Sequence, residues 1–167
     1  MPIPTWVDGN PLPASDLNNW LMVRAAYKTS TETVTSSVTL QNDDDLFVAV
    51  DANAAYDVRL ILRYQAATAG DIQIGWTAPA GSTHTNTYLH ALSTTAVGGG
   101  DDVIVAGTTA PGAGGVGSGT DVALIWEGLL ITAGTAGTLR LQWAQLASFA
   151  TGTSVLAGSK LILQRIG

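Results

Sequence analysis

Cysteine is absent from the 167 residues of this chain. That excludes disulfide scaffolds, thiolate metal sites, iron–sulfur clusters and cysteine nucleophiles. Histidine occurs 2 times, too few for a multi-histidine metal centre. Positive charge is scarce as well: 7 Lys and Arg stand against 13 Asp and Glu, for a net charge of -6. A nucleic-acid binder needs a basic field, and this chain has the opposite sign. Charged residues of both signs make up 12% of the chain, about half the roughly 25% of ordinary globular proteins. Long apolar runs are missing too. The run from Val122 to Trp126 stops at Glu127, far short of the ~20 residues a spanning helix needs, so membrane insertion is not expected. The first basic residue is Arg24, which leaves Met1 to Trp6 without the basic region of a secretory signal. The chain is therefore expected to be made in a cytoplasm and kept there or released by lysis. What remains is an apolar fraction of 46%, which is not a disorder composition. The length fits one domain with a core of its own.

Three zones follow one another. Residues 1–13 carry Pro2, Pro4, Pro11 and Pro13, which bias each preceding residue toward extended backbone. Ser15 or Asp16 can then cap a helix. Leu17, Trp20, Leu21 and Arg24 recur at i, i+3, i+4, i+7, which predicts a short helix reaching about Tyr27. From Lys28 onward the period is 2. Val34, Ser36, Val38 and Leu40 alternate with Thr and Ser. Leu46, Val48 and Val50 follow the acidic turn Asn42 to Asp45. Tyr56, Val58, Leu60, Leu62 and Tyr64 alternate with Asp57, Arg59 and Arg63. Ile72, Ile74 and Trp76, then a short strand near Val103, then Val122, Leu124 and Trp126 continue the pattern. Gly128 reads as a bulge or kink in that last strand. Leu139, Leu141 and Trp143, and finally Leu161 and Leu163, close the series. Some eight short strands between turns predict an all-β fold: an antiparallel β-sandwich or jelly roll preceded by an extended arm and one short N-terminal helix. The expected division is an N-terminal docking arm over 1–27 and a β-sandwich domain over 28–167. Thr, Ser and Gln fill the alternate strand positions that usually carry charge, and Ile162 and Ile166 lie opposite Leu161 and Leu163. Both features point to an oligomer, although a loop covering that strand would also bury both of its faces.

The motifs that could carry chemistry read mostly as structure. Gly112 to Gly117 matches G-x-G-x-x-G, but a strand follows it, so no helix N-terminus would hold a pyrophosphate. Gly98 to Gly100 and Gly112 to Gly119 read as loops. Asp43 to Asp45 and Asp101-Asp102 lack the spacing of a calcium loop and read as turns. Glu32 and Glu127 are the sole glutamates, and no G-x-S-x-G elbow accompanies His84 or His90. No hydrolase site assembles from these, no metal or cofactor is expected, and the histidines are expected at a surface loop or strand edge. Trp76, Trp126 and Trp143 read as core. Trp6 and Trp20 lie in the arm and read as docking anchors together with Leu12, Leu17 and Leu21. The alternative is an arm folded back onto its own domain. Asn86, Tyr88 and His90 are candidate contacts to a host-surface glycan or receptor, in a second reading of the chain as a carbohydrate-binding module.

The arm resembles the start of virion proteins of tailed bacteriophages, those of actinobacterial phages in particular. There an aromatic residue, a glycine and a leucine precede a short helix opening Asp-Leu-Asn. The matching residues are Trp6, Gly9, Leu12, Asp16, Leu17 and Asn18. A family of small phage proteins is similar over Asn42 to Leu46, Ile74 to Gly81, Leu139 to Gln145 and Gly158 to Ile166. The segment from about His84 to Thr120 carries no such likeness. The resemblance implies a non-enzymatic structural protein located in the virion, a β-sandwich assembled as a homotrimer. It would be attached to capsid or tail proteins through its arm, as a capsid decoration or a minor tail, tail tip or fibre component.

Overall fold

The computed structural model describes residues 7–17, 23–91, 97–105 and 112–167. One helical turn, α1 (Ala14–Asp16), precedes eleven strands among these residues. They are β1 (Val23–Tyr27), β2 (Glu32–Val34), β3 (Gln41–Val50), β4 (Ala55–Ala66), β5 (Gln73–Thr77), β6 (Thr83–Ala91), β7 (Val97–Val105), β8 (Gly117–Ile131), β9 (Gly137–Ala144), β10 (Thr153–Val155) and β11 (Lys160–Arg165). Eight strands form one sheet, in the order β1-β11-β4-β8-β6-β7, with β10 and β2 appended beside β4. The second sheet runs β3-β9-β5. The strand pairs are antiparallel. The two sheets enclose one apolar core, so the chain is the β-sandwich its alternation predicts.

Strand β4 shows why the sheets face each other. Tyr56, Val58, Leu60, Leu62 and Tyr64 all point inward and are fully buried, while Asp57, Arg59 and Arg63 point out. Burying one such side chain contributes about 1.5–3 kcal/mol, so a one-residue slip would expose the whole row. Trp76, Trp126 and Trp143 are buried against it, as the sequence predicts.

Four expectations change. The helix does not reach Tyr27: among the described residues α1 covers Ala14–Asp16, and Val23–Tyr27 is the edge strand β1, paired to β11. The large sheet therefore includes residues from Val23 onward. Residues 35–40 are not a strand. Ser36 sits at φ 54°, and the buried Gln145 side chain accepts from the Ser37 and Phe149 N–H groups instead. Gly98 to Gly100 lie inside β7, opposite His90, Leu89 and Tyr88, rather than in a loop. A Cβ at Gly99 would stand 2.4 Å from the Tyr88 carbonyl, so the glycine permits the close pairing. Gly128 is no bulge. It stays in register with Val58 and Asn86, and a Cβ there would meet the Thr85 carbonyl at 2.3 Å. The segment after the G-x-G-x-x-G match does enter a strand, β8.

Candidate functional site

The described part of the arm opens on a tight turn. Gly9 takes φ 85°, and the Asn10 N–H donates to the Val7 carbonyl at 3.1 Å. Pro13 then starts α1 from an extended backbone, its carbonyl accepting from the Asp16 and Leu17 N–H groups. Proline suits this position because the chain needs a fixed φ and no donor there. No residue of α1 is buried. Val7, Leu12 and Leu17 are 64%, 49% and 40% exposed. Of the five expected anchors, Leu12 and Leu17 are thus accessible. Trp6, Trp20 and Leu21 lie outside the described residues.

The arm leads into β1, and β1 is fastened at both ends to residues of the opposite sheet or next to it. Near its start, Arg24 donates to the Asp51 carboxylate at 2.6 Å and to the Ala49 carbonyl at 2.9 Å. Asp51 also accepts from the Tyr56 hydroxyl and from Arg165. Burial pushes the Asp51 carboxyl up, but these donors, Arg24 first, more than offset it and hold the group below the usual range. Just past the other end of β1, Lys28 is fully buried. Its ammonium donates to Glu32 and, at 2.9 Å, to the fully buried Asp43. Asp43 also accepts from the Trp143 indole and from the Asp45 and Leu46 N–H groups. Burial pulls Lys28 down, and the two carboxylates reverse this, so it titrates above an ordinary lysine.

None of these four anchors, Arg24, Lys28, Asp43 or Asp51, was singled out as a site by sequence. The signal was thin: a lone lysine where the period changes, and an acidic turn ahead of Leu46. Asp43 is therefore a buried acceptor rather than a simple turn residue. No group of three or more His, Asp or Glu among the described residues could hold a metal.

The other end of the large sheet is polar inside as well. His84, Asn86, Tyr88 and His90 alternate along the inner face of β6 and are buried. This overturns the surface placement expected for both histidines. Asn86, Tyr88 and His90, the candidate glycan contacts, are 4%, 8% and 8% exposed in this row. Aromatic packing explains the burial. Tyr88 stacks on Trp126 at 5.4 Å and on His90 at 5.8 Å, and His84 meets Trp76 edge-on at 5.4 Å. His90 Nδ1 accepts from the Gly114 N–H at 3.3 Å. Both ring nitrogens of His84, both amide atoms of Asn86, Ser82 Oγ and the indole N–H groups of Trp76 and Trp126 have no hydrogen-bond partner among the described residues. No water-sized space exists among Trp76, Ser82, His84 and Leu139. Burial lowers the His84 pKa to about 4, so the ring is neutral at pH 7. Among the described residues neither ring nitrogen of His84 meets a hydroxyl or a carboxylate, so they assemble no general acid–base pair there.

The Gly-rich stretch is tied down by its neighbours. The Gly115 N–H donates to Asp71 at 2.7 Å, and the Gly114 carbonyl accepts from Tyr64 at 2.6 Å. Burial, then the charge of Asp71, pushes the Tyr64 phenol to about 12 and keeps it a donor.

No protein-family model matches the chain, and no curated protein matches it. Among solved structures it is similar to the tripod from the baseplate of bacteriophage Tuc2009. That alignment has 12% identity and a TM-score of 0.38, over 98% of this chain and 73% of the other. It is also similar to structures of infectious bursal disease virus. The Gx strain aligns at 10% identity and a TM-score of 0.20, over 86% of this chain and 40% of the other. The Gt strain gives 9% and 0.21, over 87% and 41%. None of these likenesses defines a family for the chain.

Proposed function

We propose that the chain is a non-enzymatic structural protein of a tailed-bacteriophage virion. It would be a small homo-oligomeric appendage, a trimer on the sequence resemblance, docked on capsid or tail proteins by its N-terminal arm. One observation carries this reading. From Val7 to Leu17 the arm makes local hydrogen bonds, buries nothing, and holds Leu12 and Leu17 out to solvent. An arm folded back on its own domain would bury those side chains. An arm that waits for a partner leaves them available as apolar anchors. The arm's mounting supports the same reading, because β1 is held by two ion-paired clusters that would transmit the attachment into the core.

Gradient-purified particles of the phage that encodes the chain are the test material. The full chain should attach to particles depleted of it. Trp20→Ala, and separately Leu12→Asp combined with Leu17→Asp, should abolish attachment and leave the β circular-dichroism signal unchanged. Undiminished attachment of both variants would overturn the docking role, and absence of the chain from the particles would overturn the virion role.

A further inference from the structure

We infer that Lys28 and Asp43 condense spontaneously to an intramolecular amide, with Glu32 as the proton carrier, so that the chain joins its two sheets by a covalent bond of its own making. This goes beyond the proposed function and does not depend on it. Lys28 follows β1 of the large sheet, and Asp43 lies in β3 of the small one. A lysine amine is a nucleophile when neutral, and a dry site is where its proton can be given up. Both side chains are fully buried, and the Lys28 nitrogen lies 2.9 Å from Asp43 Oδ2. The fold thus replaces an encounter of two solvated ions by a held contact.

The surroundings of Asp43 supply the rest of an acyl-transfer site. The register of β3 against β9 shifts between Asn42 and Phe47. Within that stretch the Asp45 and Leu46 N–H groups donate to Asp43 Oδ1 at 3.0 and 2.8 Å. Two backbone donors on one carboxyl oxygen are an oxyanion hole for the tetrahedral state that amide formation passes through. The Trp143 indole N–H donates to the other oxygen, Oδ2, at 3.2 Å. Glu32 accepts from the Lys28 ammonium and, on the same oxygen, from the Asp44 N–H at 3.2 Å. A second carboxylate on the nucleophile's own nitrogen is placed as a general base.

Atoms and charge balance. One ammonium proton passes along the existing hydrogen bond to Asp43 Oδ2. The freed amine attacks Asp43 Cγ, and negative charge gathers on Oδ1 between its two donors. Glu32 takes a second proton from the nitrogen and returns it to Oδ2. The C–Oδ2 bond then breaks, and Oδ2 leaves as water. No oxidant, cofactor or second substrate takes part. The one negative charge that remains rests on Glu32, which at 17% exposed is the most accessible of the three side chains. Burial is the largest influence on Lys28 and opposes its charge; the two carboxylates offset it. Condensation removes an ammonium and a carboxylate from the dry site together.

The experiment is intact mass spectrometry and tryptic mapping of the folded full chain, followed through a long incubation at neutral pH. The chain of 17.2 kDa should become lighter than its sequence by one water. Trypsin should then fail to cut after Lys28 and release residues 25–59 as one peptide. That peptide should lack one water and give no fragment ions from breaks between Lys28 and Asp43. Lys28→Arg and Glu32→Gln should each stay at full mass, with circular dichroism as the folding control. Should either variant fail to fold, the mass and map of the wild-type chain decide alone. A wild-type chain still at full mass and still cut after Lys28 when the incubation ends would overturn the bond. A water loss mapped to another position, such as Asp8-Gly9, with Lys28 still cut, would overturn it as well. Undiminished condensation in a folded Glu32→Gln variant would overturn the role given to Glu32.

Discussion

The two ends of the large sheet bury polar side chains in opposite ways. At the β1 end, Lys28 and Asp43 are taken fully out of water, yet every charge there has a partner and Asp43 accepts four hydrogen bonds. At the β6–β7 end, the side chains of Ser82, His84 and Asn86 are also buried and have no hydrogen-bond partner among the described residues. An unpaired buried polar group costs about 1–3 kcal/mol, whereas a paired one roughly breaks even and fixes the geometry around it. The arm sits on the end that is locked. The other end is far from it, and its buried rings pack on one another: Tyr88 on Trp126 and His84 on Trp76. On the proposed docking role, a strand that carries the attachment would gain from such a lock, and a peripheral hairpin would not need one.

The largest effect that would break this contrast is at Lys28. Lys28→Met leaves the Asp43 carboxylate buried without its cation, and such a loss costs about 3–5 kcal/mol. The urea midpoint should fall accordingly, with the slope unchanged. Acid sharpens the contrast from the other end. His84 titrates at about 4 in the folded chain and near 6.5 unfolded. The unfolded state therefore takes up the proton first, and stability falls as pH drops from about 6.5 to 4. The loss approaches roughly 3 kcal/mol by pH 4. Asp51, held low in the fold, also loses its contribution as pH falls, so the comparison must be made against His84→Phe. That variant should lack the part of the slope between pH 6.5 and 4. It should also gain about 1 kcal/mol at pH 7 by removing two unpaired nitrogens.

Smaller effects test the edges of the account. Gly128→Ala should cost about 1–3 kcal/mol, since its Cβ would press on the Thr85 backbone and force β6 away from β8. Thermal melts of the variant and the parent would show it as a lowered midpoint. Arg24→Met should cost about 1 kcal/mol, because its partner Asp51 is partly exposed and keeps Arg165 and Tyr56. Denaturation at low and high salt should narrow that difference as salt rises.

Much of the fold was legible because period 2 is a strong signal when one face is buried. β4, β9 and β11 follow from their alternation of Leu, Val and Trp with polar residues. The Leu17, Trp20, Leu21 and Arg24 spacing misled because Arg24 belongs to a strand: its inward side chain reaches Asp51 across the sandwich, a contact 27 residues distant that no local pattern reports. The glycines of β7 misled for a related reason. Gly98 to Gly100 lack side chains to alternate, and their pairing with β6 is long-range. Of the candidate site, Leu12 and Leu17 were readable as apolar residues in a Pro-rich arm. The burial of Asn86, Tyr88 and His90 was not, because a period-2 row of polar and aromatic residues looks the same whichever sheet face it lies on. The Lys28–Asp43 pair, 15 residues apart, appears when the strands are assembled.

Residue-resolved native-state hydrogen exchange tests most directly whether the arm is mounted on the locked edge. If it is, the amides that pair β1 with β11, from Val23 to Tyr27, exchange with the global unfolding of the chain. Those pairing β6 with β7 open earlier, at a lower free energy. Equal protection at both edges, or faster exchange in β1 than in β7, would contradict it.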